Sequence, residues 1–211
     1  MAPSSALPLA AYEAALKIPH LEDGMSIGLF GGSFNPPHEG HRHVVLTALQ
    51  RLQLDRVWWM VSHGNPLKQN DGLPSLNERL GYSHDMMVHP RVDVTGCEAT
   101  LKTKYSADLI CHLVKRYPSV RFIWIMGADN LTHFHHWDRW EDIVAAVPIC
   151  VIDRPGDTLA TRSSKTAKKF AHVRIDESDA KLLKNYKAPA WTFIHAPKMA
   201  LSSTVLRQKL T

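Results

Sequence analysis

Short apolar runs recur along this chain, and segments of helical period lie between them. Met25–Phe30 (MSIGLF), Arg56–Val61 (RVWWMV), Arg121–Met126 (RFIWIM), Ile149–Ile152 and Ala190–Ile194 are too short for helices and too continuous for half-exposed strands. Such runs suit strands buried on both faces. Between them, Val44, Val45, Ala48, Leu49 and Leu52 predict a helix over His41–Leu52. Similar patterns predict helices over Ser75–Val88, Ser106–Tyr117, Arg139–Ala146 and Ser203–Leu210, with a further short strand at Arg91–Thr95. This alternation predicts an α/β fold with a mostly parallel sheet, doubly wound, in a single domain. Ligands of such sheets bind beyond the carboxyl ends of the strands. The chemistry is therefore expected in the loops after Phe30, Val61, Met126 and Ile152.

The 211 residues match a soft prior of one domain, and 45% hydrophobic residues supply a sizeable core. Residues 1–24 read as an N-terminal extension, with Pro3, Pro8 and an amphipathic turn at Tyr12–Leu16, and the ordered fold is expected over 25–211. The longest apolar stretch, Ile143–Ile152, is interrupted by Pro148 and falls short of the roughly 20 residues of a membrane span. Three cysteines without a C-x-x-C pair argue against a disulfide framework or a cysteine zinc site. The first residues carry no basic group before their apolar stretch, unlike a secretory signal, so a cytoplasmic location is expected.

The net charge of +5 could serve nucleic acid or small anions. It is concentrated: Thr161–Lys187 holds 8 basic residues against 3 acidic ones, and the rest of the chain balances. The segment reads as a solvated helical face that could also steer anionic substrates.

The first strand–loop–helix junction reads GGSFNPPHEGH, Gly31–His41. Gly31 and Gly32 would let a bulky ligand approach the backbone. The following helix start offers unpaired N–H groups and a positive dipole end to phosphate. His38 and His41, three apart, would share a face. Zinc chemistry would need H-E-x-x-H, and the spacing here is one short. A plain helix cap is the simpler alternative for the two histidines.

Gly31–His41 resembles the GGTFDPxHxGH motif of nucleotidylyltransferases with an HxGH signature, and Leu201–Arg207 (LSSTVLR) resembles their second motif, I-S-[SA]-T-x-[IL]-R. The resemblance implies a Rossmann-like sheet with the second motif on a C-terminal helix. It also implies direct transfer of a nucleotidyl group, with Gly31, Gly32, Ser33, Phe34, His38, His41, Asp129, Ser202, Ser203, Thr204 and Arg207 on ATP. His38, His41 and Arg207 would carry the catalytic charge stabilisation, and Mg2+ would arrive on the ATP phosphates with no metal site in the protein. Ser33 stands where the family has Thr, and Asn35 where it has Asp.

Met126–Ile143 (MGADNLTHFHHWDRWEDI) is similar to the G-x-D-x-L-x-x-F-x-x-W stretch of bacterial nicotinate-nucleotide adenylyltransferases, through Gly127, Asp129, Leu131, Phe134 and Trp137. Asp153–Gly156 resembles that family's R-R-P-G, Tyr105–Ser106 its S-Y-T and Pro66–Lys68 its P-P-H-[KR], with Leu67 and Lys104 departing from the pattern. The implied acceptor is nicotinate mononucleotide, held by Lys68, Tyr105, Ser106, Trp137 and Arg154. Trp137 suits a pyridinium ring, although core packing is the commoner fate of a tryptophan. The His133, His135, His136 cluster reads as a mobile, solvated loop rather than a metal site. Nicotinamide mononucleotide or phosphopantetheine as acceptor, and a silent nucleotide- or RNA-binding protein on the same fold, are the competing readings. Oligomeric state is not legible.

Overall fold

The computed structural model describes residues 6–64, 72–101, 103, 105–153 and 164–196. Its centre is a seven-stranded sheet whose adjacent pairs all run parallel. The strands are β1 (Ser26–Gly32), β2 (Arg56–Val61), β3 (Val92–Thr95), β4 (Arg121–Gly127), β5 (Ile149–Ile152), β6 (Arg174–Ile175) and β7 (Trp191–Ile194), in spatial order β3-β2-β1-β4-β5-β7-β6. The helices are α1 (Leu9–Ala15), α2 (Glu39–Arg51), α3 (Leu76–Met86), α4 (Cys97–Leu101), α5 (Ser106–Arg116), α6 (Ala128–His133), α7 (Trp140–Ala146) and α8 (Lys165–Lys169). The α/β, Rossmann-like, doubly wound expectation is borne out. No helix among the described residues is long and apolar enough to cross a membrane.

The strands read as unbroken apolar runs because both faces are covered. Ile27, Leu29, Trp58, Met60, Trp124 and Met126 point to one face, where α5 and α7 bury Leu109, Ile110, Leu113, Ile143 and Val144. Phe30, Val57, Trp59, Ile123 and Ile125 point to the other, against Val44, Val45, Ala48 and Leu49 of α2 and Leu80 of α3. Trp58 and Trp59 are consecutive, fully buried and on opposite faces, as the pleat requires. Gly28 lies on the α2 face, where an added Cβ would stand 2.4 Å from Ile125 Cδ1. A larger residue there would force the Ile125 and Leu54 side chains aside.

Three expectations change. The ordered chain extends before Met25: residues 6–17 lie beside α3, β3 and α4, and Gly24 N–H donates to Ser119 O (2.9 Å) near the start of β4. Gly96 N–H donates to Ala15 O (2.8 Å), Thr100 Oγ1 to Leu16 O (2.7 Å) and Leu7 N–H to Asn77 Oδ1 (2.9 Å). The basic segment is more than a solvated face. Lys169 pairs with Glu141 (2.6 Å) and lies over the Trp140 ring, Arg174 stacks over Trp191, and Lys184 donates to Gln53 O. Finally, β6 adds a seventh strand of two residues, which no apolar run announces. The C-terminal helix expected at Ser203–Leu210 lies outside the described residues.

A parallel sheet brings every strand's carboxyl end to one edge. From β1 the chain winds outward through β2 to β3, and then crosses back to β4 on the other side of β1. The crevice of such a fold opens where the winding reverses, here between β1 and β4.

Candidate active site

β1 hands the chain to α2 through a short loop. α2 starts at Glu39, and His38 is its N-cap in extended conformation. His38 Nδ1 accepts the Gly40 N–H (3.1 Å), and His41 Nδ1 accepts the His38 N–H (3.2 Å). Each ring therefore spends one nitrogen on an orphan donor of the helix start, as a capping box does. The capping alternative and the ligand alternative are thus not exclusive. In a neutral imidazole whose Nδ1 accepts, the proton sits on Nε2. The cap makes both histidines Nε2–H donors beside a helix N-terminus. Their rings stack with centroids 3.7 Å apart, so the two donors act as one unit. His38 is 2% exposed and His41 half-buried.

The two glycines are explained differently from the expectation. A Cβ on Gly31 would stand 2.7 Å from Trp124 Cη2, and a Cβ on Gly32 would meet the Phe34 ring at 3.1 Å. Both are held by neighbouring aromatic rings, so ligand approach is not needed to account for them. Phe34 itself has φ of 44°, a left-handed conformation rare for a bulky residue, and is 4% exposed. Its ring packs between Phe30 (5.4 Å), Trp59 (4.6 Å) and His41 (5.1 Å). What Phe34 can offer a ligand is its backbone, while its side chain packs against the His41 ring. The Asn35–Pro36 peptide is cis.

On the opposite face, Gly127 caps α6 and places Asp129, half-buried, in the first turn after β4. The stretch expected as a mobile loop is helical: α6 runs directly into a 3-10 turn at Phe134–His136. Phe134 is fully buried and anchors it. His133 and His136 stack at 6.2 Å, and His136 lies 3.9 Å from His135. Among the described residues no group of three or more His, Cys, Asp or Glu could hold a metal ion. The pKa of His135 is lowered, first by desolvation and then by the charges of His136, Lys165 and His133.

Trp137 closes the turn, half-buried, with its ring edge-on to Trp124 (6.1 Å) and Phe134 (5.3 Å). It packs on the core and keeps part of its surface open. Trp124 touches the Gly31 position on one side and Trp137 on the other. That single indole connects the first loop to the second candidate subsite. Tyr105 and Ser106 stand half-buried at the start of α5, with Tyr105 as the extended N-cap residue. Lys68, Arg154, Ser202, Ser203, Thr204 and Arg207 lie outside the described residues.

Sequence reasoning missed Arg79. It is 1% exposed on α3, beside fully buried Leu80. Its guanidinium donates to four carbonyls: Pro74 (3.0 Å), Ser33 (2.9 Å), Ser62 (2.6 Å) and His63 (3.0 Å). Burial lowers its pKa, and the nearby Glu98 raises it in part. Glu98, 9% exposed, is pushed up to about 7 by burial, against the pull of Arg79. Arginine at an inward helical position was the available signal: Leu76, Arg79, Leu80 and Ser83 share one face. Burial also raises the thiols of Cys97, to about 11, and of Cys150. Neither is a ready nucleophile.

Comparison with known proteins agrees with this geometry. Residues 29–209 match the cytidylyltransferase-like family. A probable nicotinate-nucleotide adenylyltransferase of Rhizobium johnstonii is 53% identical over 190 residues, covering 90% of this chain and 96% of that protein. Another from Methylorubrum extorquens is 51% identical over 185 residues, covering 88% and 100%. In fold, the chain is similar to Plasmodium falciparum nicotinic acid mononucleotide adenylyltransferase complexed with NaAD, with a TM-score of 0.66 at 20% identity over 89% of this chain and 84% of that one.

Proposed function

The chain belongs to the cytidylyltransferase-like family, with nicotinate-nucleotide adenylyltransferases among its relatives, and from that membership we propose that it transfers the adenylyl group of ATP to nicotinate mononucleotide. The products are nicotinate adenine dinucleotide and pyrophosphate. An anionic phosphate oxygen of the mononucleotide attacks the α-phosphorus of ATP. A new P–O bond forms as the bond to the β-phosphate bridging oxygen breaks, and the electron pair leaves with pyrophosphate. The nucleophile is already charged, so neither a covalent intermediate nor a strong base is needed. The protein's work is to align two polyanions and to stabilise charge as it redistributes.

One observation carries this reading: the stacked His38–His41 pair, each ring locked by the helix cap into the Nε2–H form. His41 donates to the α-phosphate and His38 holds the neighbouring phosphates, with the start of α2 adding its dipole. These are N–H donors, which suit phosphate rather than a metal. Magnesium would arrive on the ATP phosphates and would supply charge neutralisation there. Ser202, Ser203, Thr204 and Arg207 would bind the β- and γ-phosphates, Asp129 the ribose, and Gly31–Phe34 the nucleotide through the backbone. Trp137 would present its open face to the pyridine ring, with Tyr105, Ser106, Lys68 and Arg154 on the acceptor's carboxylate and phosphate. Residues 25–211 form the catalytic domain, and the segment before them braces its edge. Such an enzyme works in the cytoplasm, where its substrates are.

The test is pyrophosphate release from MgATP with nicotinate mononucleotide, nicotinamide mononucleotide or phosphopantetheine. The nicotinate compound is expected to be strongly preferred. Losing one preorganised donor costs about 10²- to 10³-fold in kcat, so His41→Ala should fall by that order. Equal rates for the wild type and His41→Ala would refute the mechanism.

A further inference from the structure

The ladder between β1 and β2 ends where Ser62 N–H donates to Gly32 O (2.9 Å). Beyond that bond the register of the two strands ends, with Ser33 following β1 and Ser62 and His63 following β2. The next carbonyls, of Ser33, Ser62 and His63, have no strand neighbour to pair with. Ser33 and Ser62 are half-buried, and a carbonyl withdrawn from water needs a donor. Arg79 supplies the donors: Nη1 to Ser33 and Ser62, Nη2 to His63, and Nε back to Pro74 at the foot of its own helix. A guanidinium is a rigid planar fork of five N–H groups, and here its donors are spread over three chain segments. Its charge has no carboxylate contact in this set. The partial charges of four carbonyls, and Glu98 acting through space, compensate it.

We propose that Arg79 is a positioning residue for the transfer reaction, fixing the spacing between the ATP-side loop after β1 and the acceptor-side loop after β2. This rests on the adenylyl-transfer reading above. Ser33 is five residues before His38, so the cross-link ties the approach to the histidine pair to the first residues after β2. In-line geometry tolerates little error, and a misplacement of about 1 Å can cost on the order of 10²-fold in rate. A lysine keeps the charge but has one compact head, which cannot reach acceptors on three segments at once.

The experiment measures kcat and both KM values for wild type, Arg79→Lys and Arg79→Gln at a temperature where each is folded by circular dichroism. Leu80→Ala serves as the control, because it removes core packing from the adjacent residue of the same helix and touches none of the loop carbonyls. In Arg79→Lys, kcat per folded molecule is expected to fall at least tenfold and the KM for nicotinate mononucleotide to rise. Leu80→Ala is expected to lose stability while its folded molecules keep wild-type kcat and KM. Arg79→Lys kinetics within twofold of wild type, or losses that track the folded fraction as in Leu80→Ala, would overturn the inference. So would failure of both Arg79 variants to fold, which would make Arg79 a determinant of folding alone. Absence of turnover in the wild type would instead sink the functional reading beneath it.

Discussion

Glu98 shows how one side chain can tie stability to pH. Burial raises its pKa to about 7, so the fold favours the protonated acid while the unfolded chain releases the proton near 4.5. A raised carboxyl pKa contributes stability that is complete below about pH 4.5 and is lost as pH rises through 7. Between those values the loss approaches ~1.4 kcal/mol per pH unit, on the order of 3 kcal/mol in all. Glu98→Gln keeps the shape and cannot ionise. Urea denaturation should therefore find it more stable than wild type at pH 8, with the gap closing at pH 5. A gap of equal size at both pH values would show that Glu98 is not the titrating group. At this scale the sequence was informative about His38 and His41, whose spacing at a helix start is visible directly. It marked Arg79 only as an arginine at an inward helical position, since its partners are backbone carbonyls with no sequence signature, and it was silent about Glu98, because charged residues are almost never fully buried unless paired.

At the scale of elements, α1 and the Leu16–Lys17 segment after it form a brace. The Thr95 hydroxyl lies between Ala15 O (3.0 Å) and Lys17 O (3.1 Å) while accepting the Cys97 N–H (3.1 Å). Leu16 fills the space over Gly96, 3.2 Å from where a Cβ would stand. Removing residues 1–17 would strip these partners from β3 and α4, and the Leu7 partner from Asn77 of α3. Hydrogen exchange should accelerate over α3, Cys97–Leu101 and the first turn of α5, where Tyr105 and Ser106 sit, with protection of β1, β4 and α2 unchanged. Uniform acceleration across the sheet would mean that the segment supports the whole fold. The brace was not legible because its contacts are backbone carbonyls, which any sequence supplies. Strands β1, β2, β4 and β5 were legible to within about two residues, since burial on both faces writes itself as an apolar run. The His-rich turn was misread for the opposite reason: its polarity masks Leu131, Phe134, Trp137 and Trp140, which recur every three residues along one buried side.

For the whole molecule, the reversal of winding between β1 and β4 places the histidine pair on the α2 face and Trp137 on the α5 face, with Trp124 between them. On the proposed reading the two substrates take opposite faces of one sheet edge and should stabilise the molecule independently, because each binds the folded state alone. At 100 times its Kd a ligand adds about 2.7 kcal/mol. For a chain of this length that corresponds to a Tm increase of roughly 5–10 °C. MgATP and nicotinate mononucleotide, added separately, should each produce such a shift. Trp137→Ala should abolish most of the mononucleotide's shift and leave that of MgATP nearly intact, since its open face is on the acceptor side. The substitution also removes packing against Trp124 and Phe134, so its ligand-free Tm should fall, and each shift must be read from that lower baseline. If both shifts shrink together, Trp137 acts through Trp124 on the β1 loop, and the two faces are one site rather than two.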